Sequence, residues 1–201
     1  GVGKTALVIK LMQRVQEQFD GIIWLSLRNA PPLETLVTEC LSAFPGQQEP
    51  LPQGLERKLT LLMRYLSMAR YLIVLDNGET VLQAGKEGRA GHYLAGYEDY
   101  GFFLRQIGET SHTSSFVITS REKPAILSLL EGKRSLVRSF SLRGLENHDS
   151  QKFLQKQDVI GSEYDYAALN QHYAGNPLAL QLAAGVIHDL FGGDIAAFLR
   201  T

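Results

Sequence analysis

The chain opens on Gly1-Val2-Gly3-Lys4-Thr5, which reads as the second half of the pattern G-x-x-x-x-G-K-[ST]. Residues of these types at this spacing can hold a phosphate chain. Glycines let main-chain N–H groups converge on phosphate oxygens, and a helix starting at the lysine adds about half a positive charge there. In that pattern the amides of Gly1, Val2, Gly3 and Ala6 line the phosphates. Lys4 reaches the β- and γ-phosphates, and Thr5 gives a hydroxyl to Mg²⁺. The competing reading is a glycine turn followed by an exposed lysine. The pattern's first glycine, and the buried strand that normally precedes it, would lie before residue 1. The chain is therefore expected to be a piece of a longer protein, cut inside its phosphate loop.

A second chemical element is Asp76, which ends the apolar run Tyr71-Leu72-Ile73-Val74-Leu75. A carboxylate at the carboxyl end of a buried parallel strand sits where open α/β sheets bind ligands. Its role there is to hold Mg²⁺ and its water shell. The alternative is a strand-ending Asp-Asn-Gly turn. Related folds often follow that aspartate with a second acid, but Asn77 stands here. An amide orients water without accepting its proton, so Glu79 is the nearest substitute base and slow hydrolysis is expected. Arg121, after Phe116-Val117-Ile118-Thr119-Ser120, can contact a γ-phosphate by charge-assisted hydrogen bonds. Its other reading is a strand-capping arginine paired with Glu122.

These residues need a scaffold. Leu7, Leu11, Met12 and Val15 recur at helical spacing behind Lys4 and Thr5. Ile22 to Leu25, Tyr71 to Leu75 and Phe116 to Ile118 are short β-rich runs, hence buried strands. Between them, helices are expected after Pro31-Pro32, over Leu55 to Leu66, and from Tyr97 to Glu109. Residues 136–142 alternate like a strand nearer the sheet edge. Alternating strands and helices predict an α/β fold, a parallel sheet sandwiched by helices. Beyond Leu145 the pattern is helical only: Ser162-Glu163-Tyr164-Asp165 has the form of a capping box, and Pro177 suits the first residue of another helix. Division into residues 1–144, α/β, and 145–201, the start of an all-α subdomain, follows.

The rest of the sequence narrows the chemistry. Lys plus Arg number 20 and Asp plus Glu 21, a formal net charge of −1. That balance gives no broad drive toward nucleic acid or anionic membrane. No apolar run nears the ~20 residues of a bilayer span. A lone cysteine, Cys40, fits a reducing cytoplasmic setting and reads as a buried structural thiol. The histidines, at 92, 112, 148, 172 and 188, include no i, i+4 pair of the kind that binds zinc. Trp24 reads as packing. Tyr93, Tyr97 and Tyr100 either seat the glycine-rich stretch around them or cover a nucleotide; seating is favoured.

In order, GVGKT, LIVLDN, FVITSR and YAGNPLAL resemble the STAND class of P-loop ATPases, and more narrowly the NB-ARC module of bacterial and plant signalling proteins. The stretch from Ala90 to Pro124 looks especially like bacterial members that carry WD-repeat propellers. The resemblance implies a P-loop NTPase fold that binds ADP in a closed form and ATP in an open, self-associating one, with Mg²⁺ as cofactor. It implies that Arg121 senses the γ-phosphate and that Pro177 packs against adenine. Sensor and effector modules would lie elsewhere in the parent chain. Two other functions are carried beside this switch: a turnover ATPase of the AAA type, and an interaction scaffold with a vestigial nucleotide site.

Overall fold

The structure, a computed structural model, describes residues 2–46, 50–85, 90–132 and 134–200. Contacts divide the chain into two units, Leu7–Ser139 and Gly1–Ala6 with Phe140–Thr201.

The first unit is built on three parallel strands: β1 (Gly21–Ser26), β2 (Tyr71–Asp76) and β3 (Ser115–Ile118), in the order β1-β2-β3. Gly21 pairs with Tyr71 and Ser26 with Asp76, while Leu72 pairs with Ser115 and Leu75 with Ile118. Every residue of β2 is buried, as expected for a central strand covered on both faces. Successive side chains of a strand point to opposite faces. Ile73 and Leu75 therefore join Leu36, Leu62, Leu66 and Phe103, whereas Leu72 and Val74 join Val8.

Helices occupy both faces. Helix α1 (Lys4–Val15) lays Val8, Met12 and Val15 on the face of Leu72 and Val74. The opposite face carries α2 (Leu33–Ser42), α3 (Leu55–Met68), α4 (Asp99–Glu109) and α5 (Ala125–Leu130). The Lys58 ammonium bridges to Glu34 at 2.8 Å, tying α3 to α2. Phe44 stacks on Tyr65 at 4.7 Å and meets Tyr71 edge-on at 4.6 Å. Cys40 is buried in this core, and burial pushes its thiol up to about 12, which makes it a packing group. Tyr97 and Tyr100 donate their hydroxyls to the carbonyls of Ala30 and Pro31, each at 2.7 Å. These bonds seat the glycine-rich stretch on the β1–α2 connection.

Helix α1 forms as its spacing predicts, with a shifted core stripe, and one other sequence expectation fails. Leu7 and Leu11 are 53% and 39% exposed; the core stripe of α1 runs one residue further on, through Val8. Residues 136–142 form no strand. The Arg138 guanidinium instead donates to the nearby carbonyls of Gly132, Ser135 and Val137. Leu136 and Phe140 stay exposed. Alternation marks a half-buried strand only where the segment also pairs with a sheet that buries one of its faces.

The second unit packs α6 (Asn147–Gln155), α7 (Glu163–His172), α8 (Pro177–Phe191) and α9 (Ile195–Leu199) around Leu154, Leu169, Leu180, Ile187 and Ile195. The capping box is formed: Ser162 Oγ accepts from the Asp165 N–H at 3.3 Å, and Asp165 Oδ2 accepts from the Ser162 N–H at 2.8 Å. The Ser162 hydroxyl, which donates to Asp165 Oδ2 at 2.6 Å, and then the Ser162 N–H hold the Asp165 carboxyl below the usual carboxylate range. Asn176 caps α8 by accepting from the N–H groups of Leu178 and Ala179. Such a cap is worth about 1 kcal/mol and fixes Pro177 as the first helical residue.

Candidate functional site

Lys4, Thr5 and Ala6 form the first turn of α1, where N–H groups lack intrahelical partners and the dipole favours an anion. The chain enters that turn through Gly3 at φ +90, a conformation that suits glycine. A Cβ on Gly3 would meet nothing within 4 Å, so its backbone is open to close approach. Gly1 lies outside the described residues. Val2 to Ala6 and Pro177 both belong to the second unit.

The first unit brings together the other candidates at the carboxyl ends of β2 and β3. Asp76 is buried, 7% exposed, and its carbonyl accepts from the Leu27 N–H at 2.8 Å. Its Oδ1 accepts from the hydroxyl of Thr119, which is itself buried. Thr119 Oγ1 in turn accepts from the Asn77 N–H at 3.1 Å. The Thr119 carbonyl accepts from the Gly78 N–H at 2.7 Å, and its N–H donates to the Leu75 carbonyl at 2.9 Å. Between these bonds Asn77 adopts φ 68, a left-handed turn that asparagine tolerates. This turn opens a 3₁₀ segment, Gly78–Val81.

That short segment carries Glu79 under the end of β3. Glu79 Oε2 accepts from the Arg121 N–H at 3.2 Å, and Oε1 lies 3.3 Å from Arg121 Nε. Arg121 thus pairs with Glu79, and the alternative pairing with Glu122 is not found. The Arg121 side chain is 76% exposed against 21% for Glu79, so the guanidinium faces solvent while the carboxylate anchors its base.

Thr119 is the residue that sequence reasoning passed over. Its signal was a polar side chain closing a buried strand, one strand over from Asp76. The donor set suits Mg²⁺, a hard cation that binds one or two protein oxygens, phosphates and water rather than an all-protein cage. Asp76 offers a buried carboxylate of that kind. Among the described residues no group of three or more His, Cys, Asp or Glu is placed to hold a metal.

Comparison with known proteins adds to this geometry. Residues 1–81 match the model of the NB-ARC domain family. The chain is 42% identical over 210 residues to the WD repeat-containing protein alr2800 of Nostoc sp. strain PCC 7120. That match takes in 100% of this chain and 16% of the relative, so the chain spans about a sixth of it. In fold it is similar to the Aeropyrum pernix ORC1 protein, solved in complex with DNA. The TM-score is 0.54 and the identity 16%, over 94% of this chain and 52% of that one. The family match and the fold support a nucleotide-binding P-loop NTPase. The chain thus carries, across residues 1–81, an NB-ARC match on a P-loop NTPase-like fold, consistent with an NB-ARC module joined to WD repeats.

Proposed function

We propose that this chain is the nucleotide-gated switch of a STAND-type signalling protein, with ATP and ADP as ligands and Mg²⁺ as cofactor. The observation that carries this reading is the buried Asp76, fixed at the end of β2 beside a solvent-facing Arg121. When bound, Mg²⁺ would neutralise phosphate charge and lower the cost of burying the triphosphate. Asp76 and the Thr5 hydroxyl would hold it. The amides from Gly1 to Gly3 and of Ala6 would line the phosphates, with Lys4 across the β- and γ-oxygens. Pro177 would pack against the adenine.

Arg121 is the element that tells ATP from ADP. Its guanidinium pairs with Glu79 and faces solvent, and a γ-phosphate would give it charged hydrogen bonds worth about 1.5–3 kcal/mol each. Reversing a 1:99 population takes ~5.5 kcal/mol of differential affinity, which two or three such contacts supply when only one state makes them. The helical part, from residue 145, would move against the α/β part, residues 1–144, and ATP would drive self-association. Sensor and effector modules would sit elsewhere in a cytoplasmic parent chain. The near-neutral charge argues against direct nucleic-acid or membrane binding by this segment. No described helix is long and apolar enough to cross a membrane.

Hydrolysis is expected to be slow, because Asn77 replaces an acid and Glu79 is held by Arg121. A steady-state assay on the full-length protein decides between switch and motor. Turnover well below ~1 s⁻¹ fits the switch, and sustained turnover above it favours an AAA-type ATPase. In the same protein Arg121→Ala should cut the preference for ATP over ADP by about tenfold, one lost charged bond. An unchanged ratio in competition titrations would remove Arg121 from that role.

A further inference from the structure

The bonds around Thr119 have a direction that can be worked out. A hydroxyl has one proton to donate. The Asn77 N–H can only donate, so at 3.1 Å Thr119 Oγ1 must accept from it. The single hydroxyl proton is then committed to Asp76 Oδ1. Two main-chain bonds, Gly78 N–H to Thr119 carbonyl and Thr119 N–H to Leu75 carbonyl, keep the two strand ends in step. The side chain is buried, 5% exposed, so water cannot replace it.

From this we infer that Thr119 is a positioning residue that aims the Asp76 carboxylate at the nucleotide's metal. It holds one carboxylate oxygen and, through Asn77, the left-handed turn that follows. The inference rests on reading Asp76 as the metal-side carboxylate. Partners of this kind set the orientation of metal ligands, and their loss typically costs about 10–100-fold in metal affinity.

The test is calorimetric titration of ADP into the full-length parent protein, in Mg²⁺ and in EDTA, with the ratio of the two affinities as readout. Thr119→Val keeps the shape and removes the donor; it should shrink the Mg²⁺-dependent gain by about 10–100-fold and leave the EDTA affinity in place. Thr119→Ser keeps the hydroxyl and should retain the gain. A purely structural threonine would instead lower both affinities together. If Thr119→Val does not fold, Thr119→Cys, of similar size with a weak donor, takes its place. Should the valine or cysteine variant keep the wild-type gain while Asp76→Asn loses it, the positioning role is wrong and the switch reading stands. Should Asp76→Asn itself keep the gain, both fall.

Discussion

Lys4→Ala in the full-length parent protein should weaken binding of both ADP and ATP by about 100-fold. Lys4 stands in the first turn of α1, entered through Gly3 at φ +90, where the main chain already favours an anion. An ammonium there adds up to two charge-assisted bonds to phosphate oxygens, each worth about 1.5–3 kcal/mol, and 1.4 kcal/mol is a factor of ten. Lys4→Arg should restore little, because a planar fork does not substitute for a compact point charge among converging amides. Equilibrium titration measures both variants. Unchanged affinity in Lys4→Ala would point to a scaffold whose nucleotide site is vestigial.

Gly144→Ala should be the most damaging single-methyl change in the helical unit. Its Cβ would lie 2.1 Å from the Ala174 carbonyl oxygen and 2.9 Å from Gly175 backbone atoms. Those are main-chain atoms and cannot swing aside. The reverse contact is as close: a Cβ on Gly175, itself at φ +64, would sit 2.4 Å from the Leu145 carbonyl oxygen. The two strands of chain are joined there by Leu145 N–H donating to the Gly175 carbonyl at 2.7 Å. Overpacking against a fixed backbone costs about 3 kcal/mol. Gly185→Ala is the control: it lies inside α8 with nothing within 4 Å of its Cβ, and should stabilise by about 0.5–1 kcal/mol. Urea unfolding of the two variants should move the midpoint in opposite directions. A Gly144→Ala midpoint equal to that of the wild type would mean that this backbone crossing is not as described.

Local signals carried far in this chain because they were of the kinds that tertiary packing reinforces. Uninterrupted β-rich runs ending at Leu25, Leu75 and Ile118 became β1, β2 and β3; β2 is buried along its whole length, while β1 and β3 are partly exposed. The capping box at Ser162 and Asp165 and the proline start at Pro177 also formed, being satisfied within a few residues.

What escaped the sequence is what depends on distant partners. The Arg121 neighbour in sequence is Glu122, yet the 3₁₀ turn after Asn77 delivers Glu79 instead. Thr119 meets Asp76 only because β3 ends beside β2. The face of α1 could not be read from a helix apolar on several sides, where Leu7 and Val8 compete and the sheet selects Val8. Residues 136–142 show the converse: they alternate, yet they pair with none of the three strands.

The proposed function requires one Mg²⁺-dependent nucleotide site per chain. Titrating the intact parent chain, stripped of bound nucleotide, with ADP and then ATP in the presence of Mg²⁺ tests it directly. The account predicts saturable binding of both at one site per chain, weakened by EDTA. A chain that takes up neither nucleotide while remaining folded would contradict it.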